Sequence, residues 1–239
     1  MVLEVCVDSV ESAVASQEGG ASRVELCANL NEGGTTPSAG TIELARKSVL
    51  IGLHVMIRPR AGDFCYSDLE FEVMRRDIQM AKDLRADGVV LGILNRDGIV
   101  DVARMTELVH LARPMNVTFH RAFDESADPF AALEQIIGLG IDRILTSGGK
   151  RSAFDGIARI RDLVNKSSGR ITIMAGSGIT IQNVKAIISE TRVKDIHVRS
   201  AVCTDRHVVH KESSLFEVPL LAVDPAAVRN FLEFITSLG

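Results

Sequence analysis

The segment Leu3-Glu4-Val5-Cys6-Val7-Asp8 sorts by parity: Leu3, Val5 and Val7 are apolar, whereas Glu4, Cys6 and Asp8 carry ionisable or soft groups. Successive side chains of a strand point to opposite faces, so this segment has one greasy face and one chemically equipped face. The split recurs along the chain. Val24 and Leu26 oppose Glu25 and Cys27, and Leu53, Val55 and Ile57 oppose His54, Met56 and Arg58. Val117 and Phe119 oppose Thr118 and His120, and Ile196 and Val198 oppose His197 and Arg199. A sheet closed into a barrel uses both faces, the apolar one under a ring of helices and the other in the lumen. The lumen is therefore where function is expected.

Outward from these segments, short apolar stretches at 3–7, 23–27, 53–58, 87–91, 116–120, 142–146, 170–174 and 194–198 read as strands. Each is followed by a helix-period stretch, at 9–18, 38–48, 67–84, 101–112, 128–138, 152–165, 180–188 and 224–236. This alternation argues for parallel strands with helical crossovers. Eight units in 239 residues predict an α/β fold, a single (β/α)8 TIM-type barrel, for which about 250 residues is typical. A doubly wound open sheet is the alternative, but no Gly-rich dinucleotide fingerprint follows the first strand. No linker or composition shift divides residues 1–239, so one domain is expected. Ser38, Asp101 and Asp128 stand where N-caps belong, and Pro129 at a first helical position. The two longest loops, Ala28–Pro37 and Ser200–Val223, both follow strands and so fall at the C-terminal face, where barrels of this kind place their sites.

Composition narrows the function classes. Hydrophobic residues make up 46% and charged residues 24%, with a formal net charge of -4 and no Trp. Nothing here supplies the basic footprint or the aromatic platform that nucleic acid requires. No apolar run approaches the roughly 20 residues of a membrane helix, and Met1 to Asp8 lack the basic start of a signal peptide. A soluble, cytoplasmic protein is expected. Its four cysteines lack the short regular spacing of a disulfide framework and read as free thiols or metal ligands.

Cys6 and Cys27 end neighbouring strands, which lie about 4.8 Å apart, so both sulfurs can reach one ion. Thiolates favour Cu(I), Zn(II) and similar soft ions, and Met56 and Met174 are further sulfurs of inward parity. The plain alternative is that both cysteines are small buried hydrophobes. His120 closes the fifth strand beside Arg121 and Asp124, placed to ligate metal, donate a hydrogen bond or move protons; the plain alternative is a satisfied core histidine. His54 lies deeper and reads as structural, His197 is intermediate, and His207 and His210 read as solvated loop residues. Arg58, Arg60, Arg121 and Arg199 gather at strand ends. They form either a barrel-sealing ion network with Glu4, Glu25, Asp8 and Asp124 or a site for an anion.

Two Gly-rich turns favour the anion. Ser147-Gly148-Gly149 follows the sixth strand and Ala175-Gly176-Ser177-Gly178 the seventh, where barrels often hold phosphate on backbone N–H groups. An enzyme acting on a small anionic or phosphorylated metabolite is thus a second expectation. His120, Glu25, Arg58 and Arg121 are its candidate catalytic residues, and Arg60, Ser147, Gly148, Gly176, Ser177 and Gly178 its anion-binding ones. Gly33-Gly34-Thr35-Thr36-Pro37 reads as a lid or an interface element.

At these residues the chain resembles the CutC family of copper homeostasis proteins. The resemblance is carried by Glu4 to Ser9, Arg23 to Cys27, Asn31 to Ser38, Met56 to Arg60, Gly62 to Phe64, Tyr66 to Asp68, Thr118 to Asp124, Leu145 to Gly148, and Gly176 to Ile179. It departs from the family pattern at Ser177, where a third glycine is usual, and in the spacing from His197 to Ser200-Ala201. The resemblance implies a (β/α)8-type barrel and copper, as Cu(I), as the bound ion, with Cys6 and Cys27 in the place of the family's metal-implicated cysteines. It also implies a cytoplasmic location, extending to the nucleus in animals, and self-association into a dimer or tetramer.

Overall fold

The structure, a computed structural model, describes residues 1–205 and 221–238. Its strands are β1 (Val2–Val7), β2 (Arg23–Leu26), β3 (Gly52–Met56), β4 (Gly88–Leu91), β5 (Asn116–Phe119), β6 (Arg143–Thr146), β7 (Thr172–Ala175) and β8 (Asp195–Val198). They pair in parallel in chain order, and β8 closes on β1 through Val2–Asp195 to Val5–Val198. The helices are α1 (Val10–Glu18), α2 (Ala39–Ser48), α3 (Asp68–Asp83), α4 (Val102–Ala112), α5 (Pro129–Gly138), α6 (Ile157–Ser167), α7 (Val184–Thr191) and α8 (Pro225–Thr236). The expected (β/α)8 barrel is what forms.

The parity argument explains the layers. Leu3, Val5, Val24, Leu26, Leu53, Val55, Val117 and Phe119 are fully buried in the outer core, against helix residues such as Met74, Ile78 and Phe231. Full burial of such side chains is worth about 1.5–3 kcal/mol each. Caps fix the helix starts as expected: Ser38, Asp101 and Asp128 accept backbone N–H bonds, and Pro129 opens α5. Ser67 and Glu70 add a reciprocal capping box on α3.

Two helices begin later than the hydrophobic period suggests. Before α6, the Ser152 hydroxyl bonds the Asp155 side chain and backbone, and Gly156 presses so close to β6 that an added Cβ would lie 1.9 Å from the Ser147 carbonyl oxygen. Before α7, the Asn183 side chain bonds Thr180 N and the Gly178 carbonyl, holding the segment as a turn. Local side-chain bonds win over periodicity at both places. After β8 the chain forms an antiparallel pair, β9 (Cys203–Asp205) with β10 (Leu221–Val223). His207 and His210 lie outside the described residues, as does most of the Ser200–Val223 loop. Among the described residues, no helix is long and apolar enough to cross a membrane.

Candidate functional site

The lower lumen is closed by charge. On β2 the Arg23 guanidinium donates through Nε to Glu4 and through Nη2 to Asp195 Oδ2 at 3.3 Å and Met174 Sδ at 3.4 Å. Arg143 of β6 meets the same Asp195 oxygen at 3.0 Å and Thr118 Oγ1 at 3.2 Å. Burial opposes the ionisation of Glu4, but Arg23 and His197 outweigh it and hold the carboxyl well below the usual range. His54 packs its ring where Gly88 leaves room, an added Cβ there lying 2.6 Å from Nε2. Burial pushes this imidazole down to about 4, which leaves it neutral at neutral pH.

Above this plug stand the sulfurs. The strand register sets Cys6 opposite Glu25, not opposite Cys27, so the two cysteines are staggered rather than level as their strand-end positions suggest. The barrel's tilt nonetheless brings Cys6 Sγ and Cys27 Sγ to 4.0 Å. Cys27 Sγ lies 3.6 Å from Glu25 Oε2. His197 Nδ1 is 2.8 Å from Glu4 Oε1, and its Nε2 is 3.8 Å from Glu25 Oε2. Single ligand atoms of Cys6, Glu25 and Cys27 all fall within 4.8 Å of one another. The Cys27 thiol, donating toward Cys6, is the main reason the Cys6 pKa drops to about 5; His197 helps, and burial opposes. By the same bond, with burial added, Cys27 holds its proton above the ordinary range. Burial and the Cys6 thiolate push Glu25 well up. For His197 burial opposes the charged ring, yet Glu25, Cys6 and Glu4 outweigh it and raise its pKa.

The loop Ala28–Pro37 packs over Cys27. Ala28 and Thr35 bridge its base, and a Cβ at Gly34, whose φ is +88°, would lie 3.2 Å from Cys27 Sγ. Arg58 ties this loop down, donating to the carbonyls of Glu32 at 3.0 Å, Gly34 at 2.8 Å and Gly62 at 2.7 Å. Its guanidinium also sits 5.0 Å from the Phe64 ring centre. Arg58 thus orders the barrel mouth and pairs with none of the acids the sequence offered it.

A cavity of about 750 Å³ opens over Cys6, Glu25, Met56 and His197, with His120 in its wall. Its rim carries Arg121, Lys150, Arg151 and Arg199. Arg60 is not among the lining residues; it bonds Asp63 at 2.9 Å and Glu70 at 2.5 Å. Arg199 reaches Asp8 only at 3.9 Å. Met174, expected among the soft donors, belongs to the lower plug through Arg23.

The two Gly-rich turns differ. Asp124 fills the first: its carboxylate accepts from Thr146 Oγ1 at 2.5 Å, Ser147 N at 3.0 Å, Ser147 Oγ at 2.9 Å and Gly149 N at 2.9 Å. Arg121 adds a further bond to it at 2.9 Å, and Gly148 N donates to Thr146 Oγ1 at 2.8 Å. The anion expected at Ser147 and Gly148 is therefore a carboxylate of the chain itself. In the second turn, Gly176 N donates to the Thr146 carbonyl, whereas the N–H groups of Ser177, Gly178 and Ile179 meet no acceptor among the described residues.

Residues 1–202 match the CutC family. The chain belongs to that family. It is 49% identical over 214 residues to the copper homeostasis protein cutC homolog of Mus musculus, covering 90% of this chain and 79% of the mouse protein. The human counterpart is 48% identical over the same length. The crystal structure of CutC from Streptococcus agalactiae superposes with a TM-score of 0.79 at 37% identity, covering 82% of this chain and 97% of that one.

Within this CutC chain, the fold brings Cys6, Cys27, Glu25 and His197 together, with His120 further along the cavity wall. The parity reading missed the plug, although Arg23, Arg143 and Asp195 share inward parity with Glu25, Leu145 and His197. It also missed Gly88 and Gly92, where an added Cβ would meet His54 and His120 at under 3 Å. Gly88 opens β4 and Gly92 directly follows it, and a glycine beside a strand is a signal of close approach that was available.

Proposed function

We propose that this protein binds copper as Cu(I) through the thiolates of Cys6 and Cys27, and that copper handling is its role. The observation that carries the reading is the buried sulfur pair, 4.0 Å apart. Thiolate bonds to a closely related soft ion are about 2.3 Å long, so two sulfurs on one ion stand no more than about 4.6 Å apart. The donor set fits: soft sulfur selects Cu(I), and one member of the pair already favours the thiolate that ligation needs. Met56, packed with Cys6 and Cys27, offers a third soft donor, and Glu25 or His197 a harder one. Bound there, copper lies beneath the Ala28–Pro37 loop on the Cys27 side and faces the cavity on the Cys6 side. The curated mouse and human relatives carry copper homeostasis in their names. A dimer or tetramer in the cytoplasm, and in part the nucleus, belongs to the same proposal.

Anaerobic titration of the reduced protein with Cu(I) against a chromogenic chelator tests it. One tightly held equivalent per chain is expected. The Cys6→Ala/Cys27→Ala variant loses it, while Cys65→Ala/Cys203→Ala keeps it. Equal stoichiometry in wild type and the first variant overturns the reading.

A further inference from the structure

Two residues in the wall of the cavity above the sulfurs carry a buried polar atom with no hydrogen-bond partner among the described residues, Glu25 Oε1 and His120 Nε2. Both side chains line it, and they are 2% and 3% exposed. Buried polar atoms without partners are uncommon, and each costs free energy until something bonds it. For His120 the missing partner can be specified. Its Nδ1 accepts the Ala122 N–H at 3.2 Å, so in the neutral ring the proton sits on Nε2. Burial, aided by Arg58, holds the ring in that neutral form. His120 thus offers a hydrogen-bond donor to whatever occupies the cavity, and Glu25 offers a carboxyl oxygen.

At the other side of the same cavity lies the turn Ser177-Gly178-Ile179. Ser177 and Gly178 have φ of +79° and +63°. The loop after β6 supports them: Ala153 N donates to the Ser177 carbonyl, and the Ser177 hydroxyl to the Arg151 carbonyl at 2.9 Å. Consecutive backbone N–H groups in such a turn form an anion-binding concavity. The neighbouring turn shows what this chain does with one, since it seats the Asp124 carboxylate there. No side chain among the described residues plays that part for Ser177, Gly178 and Ile179. Lys150 and Arg151 line the same mouth, exposed and without an ion pair among the described residues.

We propose that the cavity binds a small phosphorylated, hydroxyl-bearing metabolite, with its phosphate on the Ser177–Ile179 turn and its hydroxyls against His120 and Glu25. The volume falls within the roughly 300–1,000 Å³ common for small-molecule sites. The phosphate takes the place that Asp124 fills next door, and Lys150 and Arg151 neutralise the charge the turn alone cannot. This site shares Glu25 with the copper reading, but its phosphate turn and His120 are not proposed ligands of the metal.

The test is an amide-resonance titration of the full chain with inorganic phosphate, then with ribose 5-phosphate and with ribose. With either phosphate, the amides of Ser177, Gly178 and Ile179 should shift and saturate, while those of Ser147 and Gly149, already bonded to Asp124, stay still. Ribose 5-phosphate should bind at least about tenfold more tightly than inorganic phosphate. Lys150→Glu/Arg151→Glu should weaken both by about tenfold or more. His120→Gln should weaken only the sugar phosphate. The site is refuted by unmoved amides at 177–179, by shifts scattered over surface lysines and arginines, or by undiminished binding in the charge-reversed variant. Sugar phosphate binding no tighter than inorganic phosphate refutes the hydroxyl-recognising half.

Discussion

The two halves of the barrel lumen are both lined with polar groups, yet they are built to opposite ends. Below, Glu4, Arg23, Asp195, Arg143 and Thr118 bond one another across five strands. Above, the sulfurs of Cys6 and Cys27, Glu25 Oε1 and His120 Nε2 are bonded weakly or not at all. A buried charge set whose members satisfy each other is structure. A set with unspent donors and soft ligands is stability given up for binding. The lumen therefore divides into a plug that holds the barrel and a mouth that receives something.

If that division is right, breaking the plug has the largest effect. Arg23→Met leaves Glu4 buried beside only His197, and urea unfolding should show a loss of about 3–5 kcal/mol. Asp124→Ala comes next, at about 2 kcal/mol, because it strips the acceptor from several N–H and hydroxyl donors. A loss at Asp124 as large as at Arg23 would place the mouth's first turn with the plug.

Acid should act on both halves through burial. His54 and His120 are held neutral down to about 4 and about 3, against 6.5 for an ordinary imidazole. Below that ordinary value the unfolded chain binds more protons than the folded one. Stability therefore falls as pH drops, by up to about 1.4 kcal/mol per pH unit for each histidine. Glu4 adds to this: its depressed carboxyl contributes fully above 4.5 and loses that contribution as pH falls below it. Urea midpoints measured from about pH 7 to 4 should fall less steeply for His120→Gln than for wild type. Identical slopes would mean that His120 titrates normally and that its Nε2 is not a fixed donor.

The smallest effect belongs to the sulfurs. Cys27→Ala should cost only about 1 kcal/mol, but it removes the donor that lowers Cys6. The thiolate absorbance midpoint, expected near the value of about 5 in wild type, should rise toward that of a free thiol. A stability loss rivalling Arg23→Met would recast the pair as packing.

Much of this was readable in one dimension. The barrel, all eight strand–helix units and the inward set Glu4, Cys6, Glu25, Cys27, His54, His120 and His197 follow from parity and period, which are local properties of the chain. Helix starts at Ser38, Asp101 and Asp128 were equally local. The late starts of α6 and α7 were not, because Ser152, Asp155 and Asn183 spend their side chains on turns that periodicity does not register.

Partner choice lay beyond the sequence. Arginines at strand ends were visible, but which acid each would meet was not. Arg23 and Asp195 are brought together only when β8 closes on β1, while Arg58 turns to carbonyls and Arg60 to Asp63 and Glu70. The stagger that still leaves Cys6 and Cys27 in contact comes from strand tilt, a property of the closed sheet. So does the filling of one glycine turn by Asp124, while the N–H groups of Ser177, Gly178 and Ile179 next door meet no acceptor among the described residues. Alternation along a strand is set by bond geometry and can be read from residue order; contact between distant strands is set by closure, and only the folded barrel decides it.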